Sequence, residues 1–379
     1  MRERAHELLA VALEGGVAEW RVDLDRLAAA ADLTAQVTRE AYPDLDVLFH
    51  ARWRHFCIEG RDLWAERQTP GADRAETARA AFDLAITSVL LDAGAGGAWR
   101  YRDAVTGSVL GRSEGLGIAS LRLFESGALS SDPADPLRAD GLARVDADLL
   151  AKAFQVTPDN PLVGLEGRAA LLRRLGEAVG RPGTLFDAMV ARATDGVLPA
   201  PAILEVLLER LGPIWPGRLS LDGVPLGDCW RHPAIRRDDA TDGFMPLHKL
   251  SQWLAYSLIE PLQAAGLAVG DIDGLTGLAE YRNGGLFVDT GVLCLTDPGA
   301  ADWAHPVEGP LVVGWRALTV ALLDRIAPLV RERLGVEAEA FPLARVLEGG
   351  TWAAGRRIAA RLRADGASPI KVVSDGTVF

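Results

Sequence analysis

The chain has 379 residues, 49% hydrophobic and 24% charged, the proportions of a soluble globular protein long enough to bury a large core. A net charge of −12 argues against broad electrostatic attraction to nucleic acid. No apolar run reaches the ~20 residues needed to span a bilayer, since Asp83 and Asp92 interrupt the closest approach, Ala81 to Trp99. The opening Met1-Arg2-Glu3-Arg4 lacks an apolar leader, so the expected location is the cytoplasm. Cys57, Cys229 and Cys294 are widely spaced, and no Cys-x-x-Cys or His-x-x-x-His pair is present, so neither a metal nor another cofactor is expected.

Helical patterning dominates. Apolar and charged positions recur at helical spacing over 2–14 and 24–41, with Pro43 stopping the second stretch. Asp73 to Asp92 reads as a long helix with Ala78, Phe82, Ile86 and Val89-Leu90 on its apolar face, ended by Gly94-Ala95-Gly96-Gly97. Trp99 to Arg102 and Val109-Leu110, around Thr106-Gly107, predict a short hairpin. A helix carrying Leu116, Leu121 and Phe124 is expected after Gly115, and Ser130 to Gly141, rich in Pro, Asp and Ser, is a linker candidate. Helices are then predicted over 165–179, 184–193 and 201–211, a hairpin within Arg218 to Trp230 around Asp222-Gly223, and a helix over His248 to Ala265. Trp315 to Leu334 is an amphipathic helix whose stripe is Trp315, Leu318, Leu322, Ile326, Leu329 and Val330. A helix over Thr351 to Arg363 and a strand over Ile370 to Val373 close the pattern. The expected fold class is mainly α with small β-hairpins (α+β). Its organisation is either an N-terminal helical lobe (1–135) with a C-terminal helical lobe (136–379) carrying most of the site, or one compact domain.

Leu275 to Gly285 is the most informative stretch. Glu280, Tyr281 and Arg282 place a carboxylate, a phenol and a guanidinium in succession, followed by Asn283 and by Gly284-Gly285. Those glycines are expected to end a local helix, which would let Glu280 and Arg282 face one pocket. About thirty residues upstream, His248 and Lys249 open a predicted helix, and Lys249 is one of 3 lysines against 37 arginines. A Lys near a Glu suits two readings. One is a structural ion pair. The other is a site for breaking a bond to a sugar: the carboxylate stabilises the cationic ring, orients or deprotonates water, or attacks as a nucleophile, while the Lys holds an oxygen or a phosphate. Tyr281 is a packing residue or a substrate contact.

Arg52-Trp53-Arg54-His55-Phe56 reads as an anion clamp or as a set of structural salt bridges. Arg112 to Gly117, with Ser113, and Leu347 to Thr351, with Gly350, are Gly-rich and expected to precede helices, Thr351 serving as an N-cap. Each is either a helix N-terminus that takes a phosphate or a set of turn glycines and caps. His6, His50, His232 and His305 are scattered along the chain.

Arg52 to Phe56, Arg112 to Gly117, His248 to Trp253, Leu275 to Gly285, Leu347 to Trp352 and Ser374 to Phe379 span nearly the full length. Together they resemble the uracil-catabolism protein four family of bacteria and fungi, long a domain of unknown function. A second, more distant resemblance covers the middle of the chain. Lys249-x-x-Gln252 followed by Leu275-Thr276-x-x-Ala279-Glu280-Tyr281-Arg282 is similar to the Lys-x-x-Gln and Leu-Thr-x-x-Ala-Asp-Tyr-Arg pattern of the queuosine-salvage nucleoside-5'-phosphate N-glycosidases. Glu280 stands where that family has Asp, which moves the carboxylate by roughly one bond length.

The resemblances imply a compact helical fold like that of helical N-glycosidases. They imply a hydrolase that cleaves the N-glycosidic bond of a nucleoside-5'-phosphate-like intermediate of uracil catabolism. An N-ribosylurea-type phosphate would give urea or a ureido acid and ribose 5-phosphate. Glu280 and Lys249 are then the expected catalytic residues. Arg282, Tyr281, His248, Arg52, Arg54, His55, Ser113, Asn283, Gly350 and Thr351 are the expected substrate and phosphate contacts. The expected partner is a small phosphorylated ribosyl compound, without nucleic acid or membrane, and a homo-oligomer is left open. Two other readings stand beside this one: an amidohydrolase acting on a ureido C–N bond, and a non-catalytic nucleotide-binding partner in the same pathway.

Overall fold

A computed structural model of the chain describes residues 1–69, 71–215 and 218–373. Helices carry the architecture: α1 (Arg2–Leu13), α2 (Leu27–Ala41), α3 (Arg74–Leu90), α4 (Arg112–Glu125), α5 (Ala147–Ala153), α6 (Leu165–Val179), α7 (Leu185–Val190), α8 (Ala200–Leu211), α9 (Lys249–Ala264), α10 (Tyr281–Asp289), α11 (Pro310–Leu334), α12 (Leu343–Val346) and α13 (Trp352–Leu362). Every sheet among the described residues has two strands. Antiparallel pairs join Trp20–Val22 to Leu293–Leu295 and Cys229–Arg231 to Phe244–Pro246, and short hairpins close at 57–62, 101–110 and 220–225. Two pairs are parallel, Val197–Pro199 with Ala268–Gly270 and Ala304–Pro306 with Lys371–Val373. This is a mainly α fold with small β pairings, and no described helix is long and apolar enough to cross a membrane.

The described residues fall into two compact units. The first comprises 1–50, 218–252 and 272–373, and the second 51–69, 71–215 and 253–271, so the first turn of α9 belongs to the first unit and the rest of that helix to the second. Ser130–Gly141 lies within the second unit, held by the Arg138–Asp140 pair and by Ser131 donating to Asp140. Ser374 to Phe379 lies outside the described residues.

In the first unit α1, α2, α10 and α12 pack around α11. Every residue from Leu311 to Leu323 is buried, so only the C-terminal half of α11 has the predicted two-faced character. Trp20 stacks on Trp315 at 6.5 Å and donates its indole N–H to the Leu311 carbonyl at 2.8 Å, tying the strand at Trp20 to the start of this helix. In the second unit α3, capped by Asp73 on the Ala75 amide, is buried continuously from Ala81 to Leu90 and packs on α4, α6 and α7.

The expected breaks at glycine-rich stretches are corrected. The fourth helix starts at Arg112 rather than after Gly115, so Ser113, Gly115 and Gly117 lie in its first turns. A Cβ on Gly115 would come within 2.9 Å of the Trp99 ring, and one on Gly117 within 2.8 Å of the His55 carbonyl. Leu347–Thr351 is no loop either. It is a π-helical turn between α12 and α13, and Thr351 sits inside helical backbone instead of capping it. The 184–193 helix is shorter than expected, with a 3-10 turn at Pro182–Thr184 leading into Leu185–Val190.

Candidate active site in the first unit

Glu280 does not sit at the end of a helix; it starts one. Its backbone is extended (φ −123°, ψ 161°), and its carboxylate accepts the amides of Arg282 at 2.7 Å and Asn283 at 2.5 Å, which makes it the N-cap of α10. Gly284 and Gly285 continue that helix instead of breaking it. A Cβ on Gly284 would lie 2.6 Å from the Trp315 indole nitrogen and 2.8 Å from the Thr319 hydroxyl, so its absence lets α10 press against α11. On another face, Gly355 of α13 lies where a side chain would overlap the Arg282 carbonyl. The Glu280 carboxylate is thereby enclosed, at 8% exposure. Burial raises its pKa above the ordinary carboxylate value; the two amides, Lys249 and His50 pull in the opposite direction. A buried carboxyl at a helix N-terminus, with a lysine nearby, is poised to exchange a proton.

Asp228 organises the Lys249 side of the site. Its carboxylate receives both Arg316 nitrogens at 2.8 and 2.7 Å, the Trp230 indole N–H at 2.6 Å and the Lys249 backbone amide at 2.9 Å. Its carbonyl accepts the amides of Leu247 and His248 at 2.9 and 3.0 Å. These bonds hold His248 in the left-handed region at φ 44° and start α9 at Lys249. Arg316 also donates Nε to the Ala279 carbonyl at 3.2 Å, one residue before Glu280. A single buried ion pair therefore fixes both the chain entering Lys249 and the chain entering Glu280. Arg316 and its neighbours hold the Asp228 carboxyl well below the carboxylate range despite its burial. Burial pushes the His248 imidazole down to about 4, so His248 is neutral at pH 7 and offers a substrate no charge.

The two halves of the glycosidase-like pattern meet directly: Gln252 accepts the Thr276 amide at 3.3 Å. Thr351 donates its hydroxyl to the Asn283 side-chain oxygen at 2.8 Å, and Gly350 packs on Thr34 and Thr38. Tyr281 is half-buried, with the Arg282 guanidinium over its ring at 4.7 Å. Arg282 turns to the Gly366 carbonyl, 2.8 Å away, which anchors the segment following α13.

Arg52, Arg54, His55 and Ser113 belong to the second unit. Arg52 is fully buried, bonded to Ser88 at 2.6 Å and to Asp92, and lies over the Phe56 and Trp253 rings at 5.8 and 5.5 Å. Ser113 donates to the same Asp92 at 2.9 Å. Arg54 pairs with Glu260, and His55 meets the Trp253 ring edge-on at 5.6 Å. Within this unit the two guanidiniums are thus engaged with carboxylates, the geometry of structural salt bridges.

Three residues of the first-unit cluster carried little signal in the sequence: Asp228, Arg316 and His50. Arg316 was detectable as the lone charge in Leu311 to Leu323, an otherwise uncharged run that a buried helix must neutralise. Among the described residues no three His, Cys, Asp or Glu side chains are placed to hold a metal ion. The buried Cys229 thiol is pushed up to about 12 by burial and by Asp228, the reverse of an activated nucleophile.

The sequence model of a family described as "Protein of unknown function (DUF1688)" matches residues 1–379. The chain is 40% identical to "Protein urg3" of Schizosaccharomyces pombe over 396 residues, covering 100% of this chain and 96% of that protein. It is 39% identical to "Uracil catabolism protein 4" of Lachancea kluyveri over 375 residues, covering 87% of this chain and 84% of the relative.

Proposed function

The chain belongs to the DUF1688 family, and on that premise we propose that it is a hydrolase of uracil catabolism that cleaves the N-glycosidic bond of an N-ribosylurea-type 5'-phosphate. The printed name of the relative from Lachancea kluyveri supports the pathway. The likeness of Lys249 to Gln252 and Leu275 to Arg282 to nucleoside-5'-phosphate N-glycosidases supports the reaction class. The observation that carries the proposal is the Glu280 carboxylate: buried, fixed by two backbone amides, raised in proton affinity and within electrostatic reach of Lys249.

The bond between the anomeric carbon and the ureido nitrogen breaks with its electron pair passing to nitrogen. Positive charge develops on the ribose ring, and Glu280 stabilises it as a fixed anion that needs no reorganisation. Water adds to the anomeric carbon and gives its proton to Glu280, while the departing nitrogen takes up a proton. The products are urea or a ureido acid and ribose 5-phosphate. Lys249 holds the phosphate or a ribose oxygen, and the Asp228–Arg316 pair keeps Lys249 and Glu280 in register.

The test is direct. Purified protein is incubated with N-(5-phosphoribosyl)urea, and ribose 5-phosphate, urea and ammonia are assayed separately. Release of ribose 5-phosphate with urea is expected. Ammonia in place of urea would mean cleavage of a ureido C–N bond and would overturn the proposal, even with ribose 5-phosphate present, because the phosphoribosylamine so formed hydrolyses in water to ribose 5-phosphate and ammonia. The dephosphorylated riboside should be turned over with kcat/KM lower by roughly a hundredfold or more, the order expected when a charged contact is lost. Equal efficiency on both compounds would remove the phosphate-holding role of Lys249.

A further inference from the structure

Cleavage of a bond to a ureido nitrogen needs an acid, because that nitrogen leaves poorly as an anion. Glu280 does not fill this role, since it must stay anionic while the sugar cation forms and its two oxygens are held by the amides of Arg282 and Asn283. His248 is held neutral by burial, with a pKa of about 4. Lys249 is already assigned to the phosphate or a ribose oxygen.

His50 is a buried imidazole held in one orientation. Its Nδ1 lies 2.7 Å from the Glu348 carboxylate, its backbone amide is fixed on the Ala344 carbonyl at 3.0 Å, and its ring lies 6.0 Å from that of Trp352. The imidazole is buried at 4% exposure. Glu348 sits in the π-helical turn Leu347–Thr351, an element that recurs at functional sites. The same turn sends the Thr351 hydroxyl to Asn283, whose amide holds Glu280. One irregular turn thus supports both the Glu348–His50 pair and the helix start at Glu280. His50 also acts electrostatically on the Glu280 carboxyl.

We propose that His50 is the general acid of the reaction and that Glu348 is its positioning residue. The assignment rests on the glycosidase reading above. With Nδ1–H donated to Glu348, the proton passes from Nε2 to the ureido nitrogen as the bond to the anomeric carbon breaks. The water proton goes to Glu280, and both groups return to their starting states by exchange with solvent. The Glu348 carboxylate fixes the orientation of the imidazole ring.

The experiment compares two probes, N-(5-phosphoribosyl)urea and 4-nitrophenyl riboside 5-phosphate, whose phenolate leaves without an acid. His50→Ala should lower kcat on the urea probe by about 10²- to 10⁴-fold with KM little changed, and by less than about tenfold on the nitrophenyl probe. Added imidazole should restore part of the lost turnover on the urea probe alone. Glu348→Gln should reproduce the same selectivity at smaller size. His50→Asn keeps a donor for Glu348 and should be as slow as the alanine variant, which separates proton transfer from packing. If His50→Ala and His50→Asn lose both probes equally, or neither, while the wild type turns both over, the His50 assignment falls and the glycosidase reading stands. If the wild type turns over neither probe, the glycosidase reading fails and this assignment with it.

Discussion

Replacing Glu280 with Gln separates the two jobs that its position assigns to it, capping α10 and stabilising charge in the transition state. As an N-cap the carboxylate serves two amides; the Gln side chain has one acceptor oxygen and serves one of them. Loss of a cap costs about 0.5–2 kcal/mol, and loss of a negative charge at a helix start about 0.3–1 kcal/mol. An opposing gain exists, because burial already disfavours the anion in the folded protein. The net change in stability should therefore stay within about 1–2 kcal/mol. Catalysis should suffer far more: removing a preorganised electrostatic contact costs about 10²–10³ in kcat, or about 2.7–4 kcal/mol of barrier. Steady-state kinetics on N-(5-phosphoribosyl)urea should show kcat falling by at least about a hundredfold with KM nearly constant, while thermal melting moves by only a few degrees. The linkage sign gives a second readout. A carboxyl whose folded pKa lies above the unfolded value of 4.5 contributes stability that is full below 4.5 and is lost as pH rises through the folded value. Glu280→Gln should therefore gain stability relative to wild type as pH rises toward neutrality. Glu280→Asp keeps the charge and the cap with a shorter reach and should retain partial turnover. Wild-type kcat in the Gln variant would refute the reasoning and leave Glu280 as a cap alone.

Asp228→Asn should destabilise the protein by about 3–5 kcal/mol, because Arg316 at 1% exposure would keep its charge without the Asp228 carboxylate that offsets it. Asp228→Asn combined with Arg316→Met should recover much of that loss in urea melts without recovering activity. Gly284→Ala tests the packing explanation of that glycine: a free helix interior would gain up to about 1 kcal/mol from alanine, whereas the Trp315 and Thr319 contacts at 2.6 and 2.8 Å predict a loss of about 1–3 kcal/mol by denaturant unfolding. His248, depressed from 6.5 to about 4, contributes stability that is present above pH 6.5 and lost as pH falls through about 4. His248→Asn, which tolerates the left-handed backbone, should flatten the stability profile across that window; an unchanged slope would contradict the burial argument.

Most of the longer helices and two of the hairpins were legible in the amino-acid sequence because each is governed by neighbours a few positions away. The spacing of Ala78, Phe82, Ile86 and Val89 gives α3, and the turn at Asp222-Gly223 gives its hairpin. Lys249 and Glu280 stood out by residue type and local context, and the Asp228–Arg316 pair bonds to the Lys249 amide and to the carbonyl before Glu280. Their roles remain proposals that the kinetics above decide. The glycines misled for a definite reason. A glycine that ends a helix and a glycine that admits a neighbouring element have the same local sequence, and only the indole of Trp315 against Gly284, or Tyr42 against Gly349, distinguishes them. The charged framework was hidden more deeply. Asp228 and Arg316 are 88 residues apart, and His50 and Glu348 are 298 apart, so no periodicity connects either pair. The tertiary structure decides which charges are buried together, because a charge can leave water only where a partner from elsewhere in the chain is already in place to meet it.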